Sequence, residues 1–187
     1  MLKLEVGIVA FIYKTKEETM ERKPLKLVIL VVSLLIYGVA FAAALKIGDK
    51  APGFSLTSMI GEKVSLSDAK GSKVVILGLF HICEPCMNQA MELQKVYEKN
   101  TDKVAIIGEN AAGDSKRDVQ EYLNSFPTKV TFPYLLDPEH TTERLFSVRQ
   151  TPIVYVIDKE GVIRFKGSSR PAQELQRVVD GILNEKS

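Results

Sequence analysis

The stretch Phe80-His81-Ile82-Cys83-Glu84-Pro85-Cys86 decides how the chain is read, and it holds the only two cysteines among 187 residues. A nearly continuous apolar run, Val74 to Phe80, leads into it. After it, Met87, Ala90, Met91, Leu93 and Tyr97 recur at helical spacing through Asn100. The pattern is a strand covered on both faces that hands a cysteine pair to the first turn of a helix. There the helix dipole and the unpaired backbone N–H groups favour a thiolate, which points to thiol–disulfide exchange. Cys83 is the expected nucleophile, with an exposed sulfur. Cys86, one turn in, is the expected resolving cysteine. Pro85 is tolerated because a first-turn N–H has no intrahelical partner. Redox chemistry is favoured over two plainer readings. A zinc site wants four Cys/His ligands, and only His81 and His140 remain. A structural bridge across two residues constrains little chain entropy. His81 would stabilise the thiolate further if it is protonated and close; a histidine that simply ends a strand is an equal reading.

Working outward, the segments flanking this stretch alternate between strand and helix. Pro52–Leu56 and Lys63–Leu66 are alternating segments around an Ile60-Gly61-Glu62 turn, a β-rich lead-in closed by Ser67–Gly71. Val104–Gly108 reads as a second buried strand. Asp114-Ser115 caps a helix that runs to about Phe126. Pro133–Leu136 is a short strand, and Asp137-Pro138 opens a short helix toward Phe146. Ile153–Ile157 and Val162–Phe165 form a hairpin about Asp158–Gly161. Pro171–Asn184 closes the chain as an amphipathic helix. The order is lead-in, β-α-β-α-β, then β-β-α, which predicts an α/β fold with a central mixed sheet, helices on both faces and an antiparallel edge.

The N-terminus is a separate unit. Residues 1–45 carry the whole net charge of +2, because residues 46–187 hold 19 basic and 19 acidic side chains. That balance gives no reason to expect a nucleic-acid partner. Met20 reads as the true translation start, followed by Arg22, Lys23 and Lys26 and then an uncharged run over residues 27–45. This run is either a signal peptide, cleaved near Ala40-Phe41-Ala42 or Ala42-Ala43-Ala44, or a retained membrane anchor. Both place residues 46–187 outside the cytoplasm, periplasmic after cleavage or facing outward on an anchor.

Several stretches, in order, resemble one family. These are Gly48–Leu56, Gly61, Val64–Ser67, Gly71, Cys83-Glu84-Pro85-Cys86, Ile107-Gly108-Glu109-Asn110 and Thr151-Pro152 before an apolar strand. Together they resemble the thioredoxin-fold, extracytoplasmic group typified by TlpA and ResA, within the AhpC/TSA-Redoxin superfamily, over residues 46–184. The resemblance implies a thioredoxin-like domain at 46–187 whose redox-active disulfide, Cys83–Cys86, needs no other cofactor and no metal. It implies that Pro152 is cis, with Thr151 offering backbone groups to an extended substrate. It implies that Glu109, which from pattern alone is a solvated loop residue, is a partly buried carboxyl that exchanges protons with Cys86. Glu84 and Pro85 would modulate the pair, as would His81. The implied activity is reduction of a protein disulfide, in the ResA-like case the haem-attachment cysteines of apocytochrome c. A membrane thiol donor of the CcdA or DsbD type would regenerate the cysteines. The chain departs from the family at Ile82, where a tryptophan is usual, and at Phe80-His81.

Two alternatives stay open. A peroxiredoxin shares the fold and lead-in but needs a Thr and a Pro upstream of its cysteine, and Gly78–Ile82 supplies neither. A copper chaperone of the Sco kind uses two cysteines and a distant histidine. It spaces the cysteines by three residues, however, and His140 fits poorly.

Overall fold

The computed structural model describes residues 44–185 other than Lys70 and Thr101. The expected signal or anchor at 27–45 lies almost wholly outside them. Among the described residues, no helix is long and apolar enough to cross a membrane.

Seven strands form one sheet: β1 (Ser55–Ser58), β2 (Lys63–Ser65), β3 (Val74–Phe80), β4 (Val104–Asn110), β5 (Tyr134–Leu136), β6 (Ile153–Ile157) and β7 (Ile163–Gly167). Their spatial order is β2-β1-β5-β4-β3-β6-β7. The central strands β3, β4 and β5 run parallel. The β6–β7 hairpin joins β3 antiparallel, and the β1–β2 hairpin joins β5 antiparallel at the opposite edge. Among the described residues, five helices accompany the sheet: α1 (Leu66–Ala69), α2 (Glu84–Asn100), α3 (Lys116–Asn124), α4 (Thr141–Leu145) and α5 (Ala172–Asn184). This is the expected mixed α/β architecture. The sequence pattern did not show that the lead-in hairpin extends the same sheet.

All seven residues of β3 are buried. Their alternation divides the core in two. Val74, Ile76 and Phe80 pack with α2, α5 and Val119 of α3, while Val75, Leu77 and Leu79 pack with Leu66, Phe146 and Phe54 on the other face. The second face has only the short helices α1 and α4, so the lead-in chain helps to cover it. Gly48 and Asp49 bond Ile163 at the start of β7, and β1 pairs with β5 beyond the centre. The segment between them crosses the sheet and buries Phe54 on the way.

One close approach sets where the cysteine-bearing helix rests. Gly78 and Gly108 are side by side in the β3–β4 register. A Cβ on Gly78 would lie 2.4 Å from Phe80 Cζ and 2.9 Å from Leu93 Cδ1 of α2. One on Gly108 would lie 2.7 Å from the Phe132 ring and 2.9 Å from that of Tyr134. The two missing side chains leave room for Phe80 and Tyr134 to stack, centroids 6.1 Å apart, between sheet and helix. Gly78→Ala therefore overpacks the core. It should lower the unfolding free energy by about 1–3 kcal/mol, read from the urea midpoint. An unchanged midpoint would show that the rings move aside freely.

Candidate active site

The strand ends at Phe80, and within four residues the chain has turned into α2. Cys83 sits at that junction, half-buried, and Cys86 is 1% exposed in the first turn. The two are joined as a disulfide, with Cα atoms 5.2 Å apart. The backbone N–H of Cys86 donates to Cys83 Sγ at 3.1 Å. When Cys83 is reduced, that donor lies against a developing thiolate at the positive end of the helix dipole. The Cys83 carbonyl accepts from Met87 N–H at 3.0 Å, and from the Tyr122 hydroxyl of α3 at 2.6 Å. Burial raises the Tyr122 phenol to about 12, so this donor keeps its proton. Tyr122 thus ties α3 to the cysteine turn. In the sequence it read as one apolar position on a helix face, and no spacing rule links it to a cysteine 39 residues away.

The rim of the disulfide is built from the β3–α2 junction and the Thr151-Pro152 loop. Glu84, Pro85 and Ile82 are exposed beside it, Ile82 at 37%. The Thr151-Pro152 peptide is cis, as expected. His81 Nδ1 is hydrogen-bonded to Thr151 Oγ1 and lies 3.9 Å from Cys86 Sγ. Of the two equal readings of His81, the structure gives neither alone: the side chain ends β3 near both sulfurs, with its hydrogen bonds to the buried Cys86 and to the proline loop. A cavity of about 440 Å³ opens on this side, lined by His81, Ala111, Glu143, Val148, Arg149 and Thr151. On the other side a groove of about 1010 Å³ runs along α2 past Glu84, Pro85, Asn88 and Arg170. Gln89 of α2 holds the groove's far wall, donating to Arg170 O at 3.1 Å and accepting from Arg170 N–H at 2.5 Å.

Glu109 lies on β4 and is wholly buried. Its Oε1 faces the Thr142 hydroxyl, while Oε2 has no hydrogen-bond partner among the described residues. Neither oxygen bonds a cysteine. Thr142 Oγ1 also meets Asp137 Oδ2 at 2.7 Å, and Asp137 accepts the N–H groups of Thr141 and Thr142, both at 2.8 Å. A hydroxyl has one hydrogen, so Thr142 can donate to one carboxyl only. Both contacts are satisfied when Thr142 donates to Asp137 and a protonated Glu109 donates to Thr142. Burial, reinforced by the Asp137 charge, pushes the Glu109 carboxyl up to about 9, in keeping with that arrangement. The sequence showed Asp137 at a helix start; the chain of contacts through Thr142 exists only in the folded protein.

A Cys-x-x-Cys pair at a helix N-terminus, beside a cis-proline loop on a thioredoxin-like sheet, defines a thiol–disulfide oxidoreductase. The chain belongs to the AhpC/TSA family, which it matches over residues 47–166. It is 34% identical over 119 residues to the thioredoxin-like protein YneN of Bacillus subtilis, covering 63% of this chain and 68% of YneN. It is 30% identical over 131 residues to the thiol–disulfide oxidoreductase ResA of the same organism, covering 68% of this chain and 72% of ResA. Among solved structures, a DsbF homologue from Corynebacterium diphtheriae superimposes with a TM-score of 0.61 at 26% identity, covering 76% of this chain and 90% of that one. The chain is accordingly an oxidoreductase of the ResA type.

The Glu109 carboxyl gives a signed pH dependence. Its folded value, about 9, lies above the ordinary 4.5. Between those limits the folded state holds the proton more tightly, so this contribution to stability is full at low pH and is lost as pH rises toward 9. Unfolding free energies of the oxidised protein at about pH 5, 7 and 9 should show this decline, and Glu109→Gln should flatten it. Parallel profiles for the two proteins would assign the titration elsewhere.

Proposed function

We propose that the protein works outside the cytoplasm, mainly as a reductant of disulfides in other proteins. The observation that carries the chemistry is the Cys86 N–H aimed at Cys83 Sγ beside the buried Cys86. In this reading the Cys83 thiolate attacks one sulfur of the substrate disulfide. A mixed disulfide forms, and the other substrate sulfur leaves as a thiolate. The Cys86 thiol then gives up its proton and attacks Cys83 Sγ, releasing the second substrate thiolate. Two electrons pass to the substrate, and Cys83–Cys86 is left oxidised. Partial burial restrains Cys83, and the exposed rim of Ile82, Glu84 and Pro85 leaves room for a partner chain. An extended partner would lie along the Thr151-Pro152 loop and pair with the Thr151 backbone.

The resolving step needs a base near Cys86. His81 Nδ1, in contact with Cys86 Sγ, is placed for that role. The role of Glu109 as proton partner of Cys86 rests on the resemblance; its carboxyl is held neutral and bonds neither cysteine. The reducing direction and the choice of substrate rest on resemblance to the ResA-like group, carried by Cys83-Glu84-Pro85-Cys86. By that resemblance the substrate is the pair of haem-attachment cysteines of apocytochrome c. A membrane donor of the CcdA or DsbD type returns electrons, and residues 27–45 deliver the domain across the membrane and hold it there if they are not cleaved.

Cys86→Ala should trap a mixed disulfide through Cys83, and Cys83→Ala should trap none. Mass spectrometry of the trapped adduct names the substrate. The reduction potential should lie nearer thioredoxin's, about −270 mV, than DsbA's, about −120 mV; a value near the latter would reject the reducing role. His81→Ala should slow decay of the mixed disulfide and shift its pH profile. A Glu109→Gln variant with unchanged thiol titration and reduction rate would remove Glu109 from the cycle.

A further inference from the structure

The cysteine pair has a third soft or borderline donor beside it. His81 Nδ1, Cys83 Sγ and Cys86 Sγ all lie within 4.8 Å of one another. The sequence weighed against zinc, with only His81 and His140 left to join the pair, and against a Sco-like copper site because of the cysteine spacing and the place of His140. The fold alters that count, because the end of β3 turns His81 back toward the first turn of α2. Its Nδ1 stands 3.9 Å from Cys86 Sγ. A metal bound at about 2.0–2.1 Å to nitrogen and about 2.3 Å to sulfur puts those two atoms about 3.6–3.8 Å apart. The nitrogen and the buried sulfur are therefore already near ligand spacing. Reduction of the disulfide lets the two sulfurs separate, and rotation of the Cys83 side chain brings its sulfur, already within 4.8 Å of His81 Nδ1, to ligand distance.

We propose that the reduced protein binds one Cu(I) ion through His81 Nδ1, Cys83 Sγ and Cys86 Sγ. Two thiolates and one imidazole form a soft set suited to Cu(I), which three donors satisfy. A structural zinc site wants a fourth protein ligand, and the cluster supplies three. The Cys83 thiolate binds directly, the Cys86 S–H bond is replaced by a Cu–S bond, and the Cys86 proton goes to solvent. No electron is transferred. On the metal, His81 exchanges its hydrogen bond to Thr151 for a Cu–N bond. Cys83 is half-buried and Cys86 is buried, so the ion enters from the rim at Ile82 and ends shielded from water. The bound form cannot attack a disulfide, since both thiolates are occupied. Copper capture and disulfide reduction are thus mutually exclusive states of one site. The metal site is independent of which protein the pair reduces and of the direction in which electrons flow.

The test uses the full chain in detergent, reduced and kept anaerobic, titrated with Cu(I) against a chromophoric Cu(I) chelator. One equivalent should bind the reduced protein, and none the oxidised protein. His81→Ala should weaken binding at least about tenfold, the lower end of what even outer-shell partners of a metal cost. His140→Ala should bind as the parent does. Circular dichroism and reduction of the Cys83–Cys86 disulfide by dithiothreitol show that the His81 variant is folded with a competent pair. Equal affinity in the parent and His81→Ala would overturn the three-donor site, as would loss of binding in His140→Ala or failure of the reduced protein to bind at all. None of these readouts depends on finding the protein substrate, so a failed reductase assay leaves this test intact.

Discussion

The structure depends on one constraint: a strand buried on both faces has to end in a reactive sulfur. The seven residues of β3 are buried on both faces, yet Cys83, three residues after the strand stops, is partly exposed. The chain solves this with a sharp passage into α2. The first turn supplies the N–H that faces Cys83 Sγ, and the helix dipole adds its field. Seating that helix close to the sheet requires the paired glycines at 78 and 108, whose missing side chains leave space for the Phe80 and Tyr134 rings. Reactivity at the surface therefore rests on aromatic packing directly below it.

The two faces of the sheet divide the labour. One face carries α2, α3 and α5 and holds the cysteines in place: Tyr122 grips the Cys83 carbonyl, and Gln89 grips the backbone at Arg170. The other carries short helices and the lead-in chain, together with a buried polar chain, Glu109–Thr142–Asp137. Buried polar groups of this kind are costly unless each is satisfied. Here Glu109 Oε2 stays unpartnered among the described residues, and the arrangement that satisfies both Thr142 contacts is one in which Glu109 keeps its proton. His81 stands at the end of β3, where it reaches both the Thr151 hydroxyl and the Cys86 sulfur. It is the ionisable side chain that couples the proline loop to the disulfide.

Ile82 acquires a physical meaning in this setting. It is partly exposed beside the disulfide, where the related group carries a tryptophan. A branched aliphatic side chain gives a smaller apolar rim and no indole N–H donor.

The strand and helix order was legible from the sequence, because β3 and β4 are unbroken apolar runs and α2 and α5 are periodic over several turns. The cysteines were legible as well, since a Cys-x-x-Cys pair at a strand-to-helix junction carries its mechanism in its spacing. Three things were decided only by the tertiary structure, each because it joins residues distant in the chain. The lead-in hairpin enters the main sheet because β1 finds the free edge of β5. Glu109, which by pattern alone is a solvated loop residue, is buried because the lead-in and α4 cover its face, and Thr142 determines where its proton sits. His81 meets Cys86 rather than open solvent because the end of β3 and the Thr151-Pro152 loop converge on the first turn of α2. Periodicity reports which face a side chain takes within its own element; which partner waits on that face depends on how the elements pack.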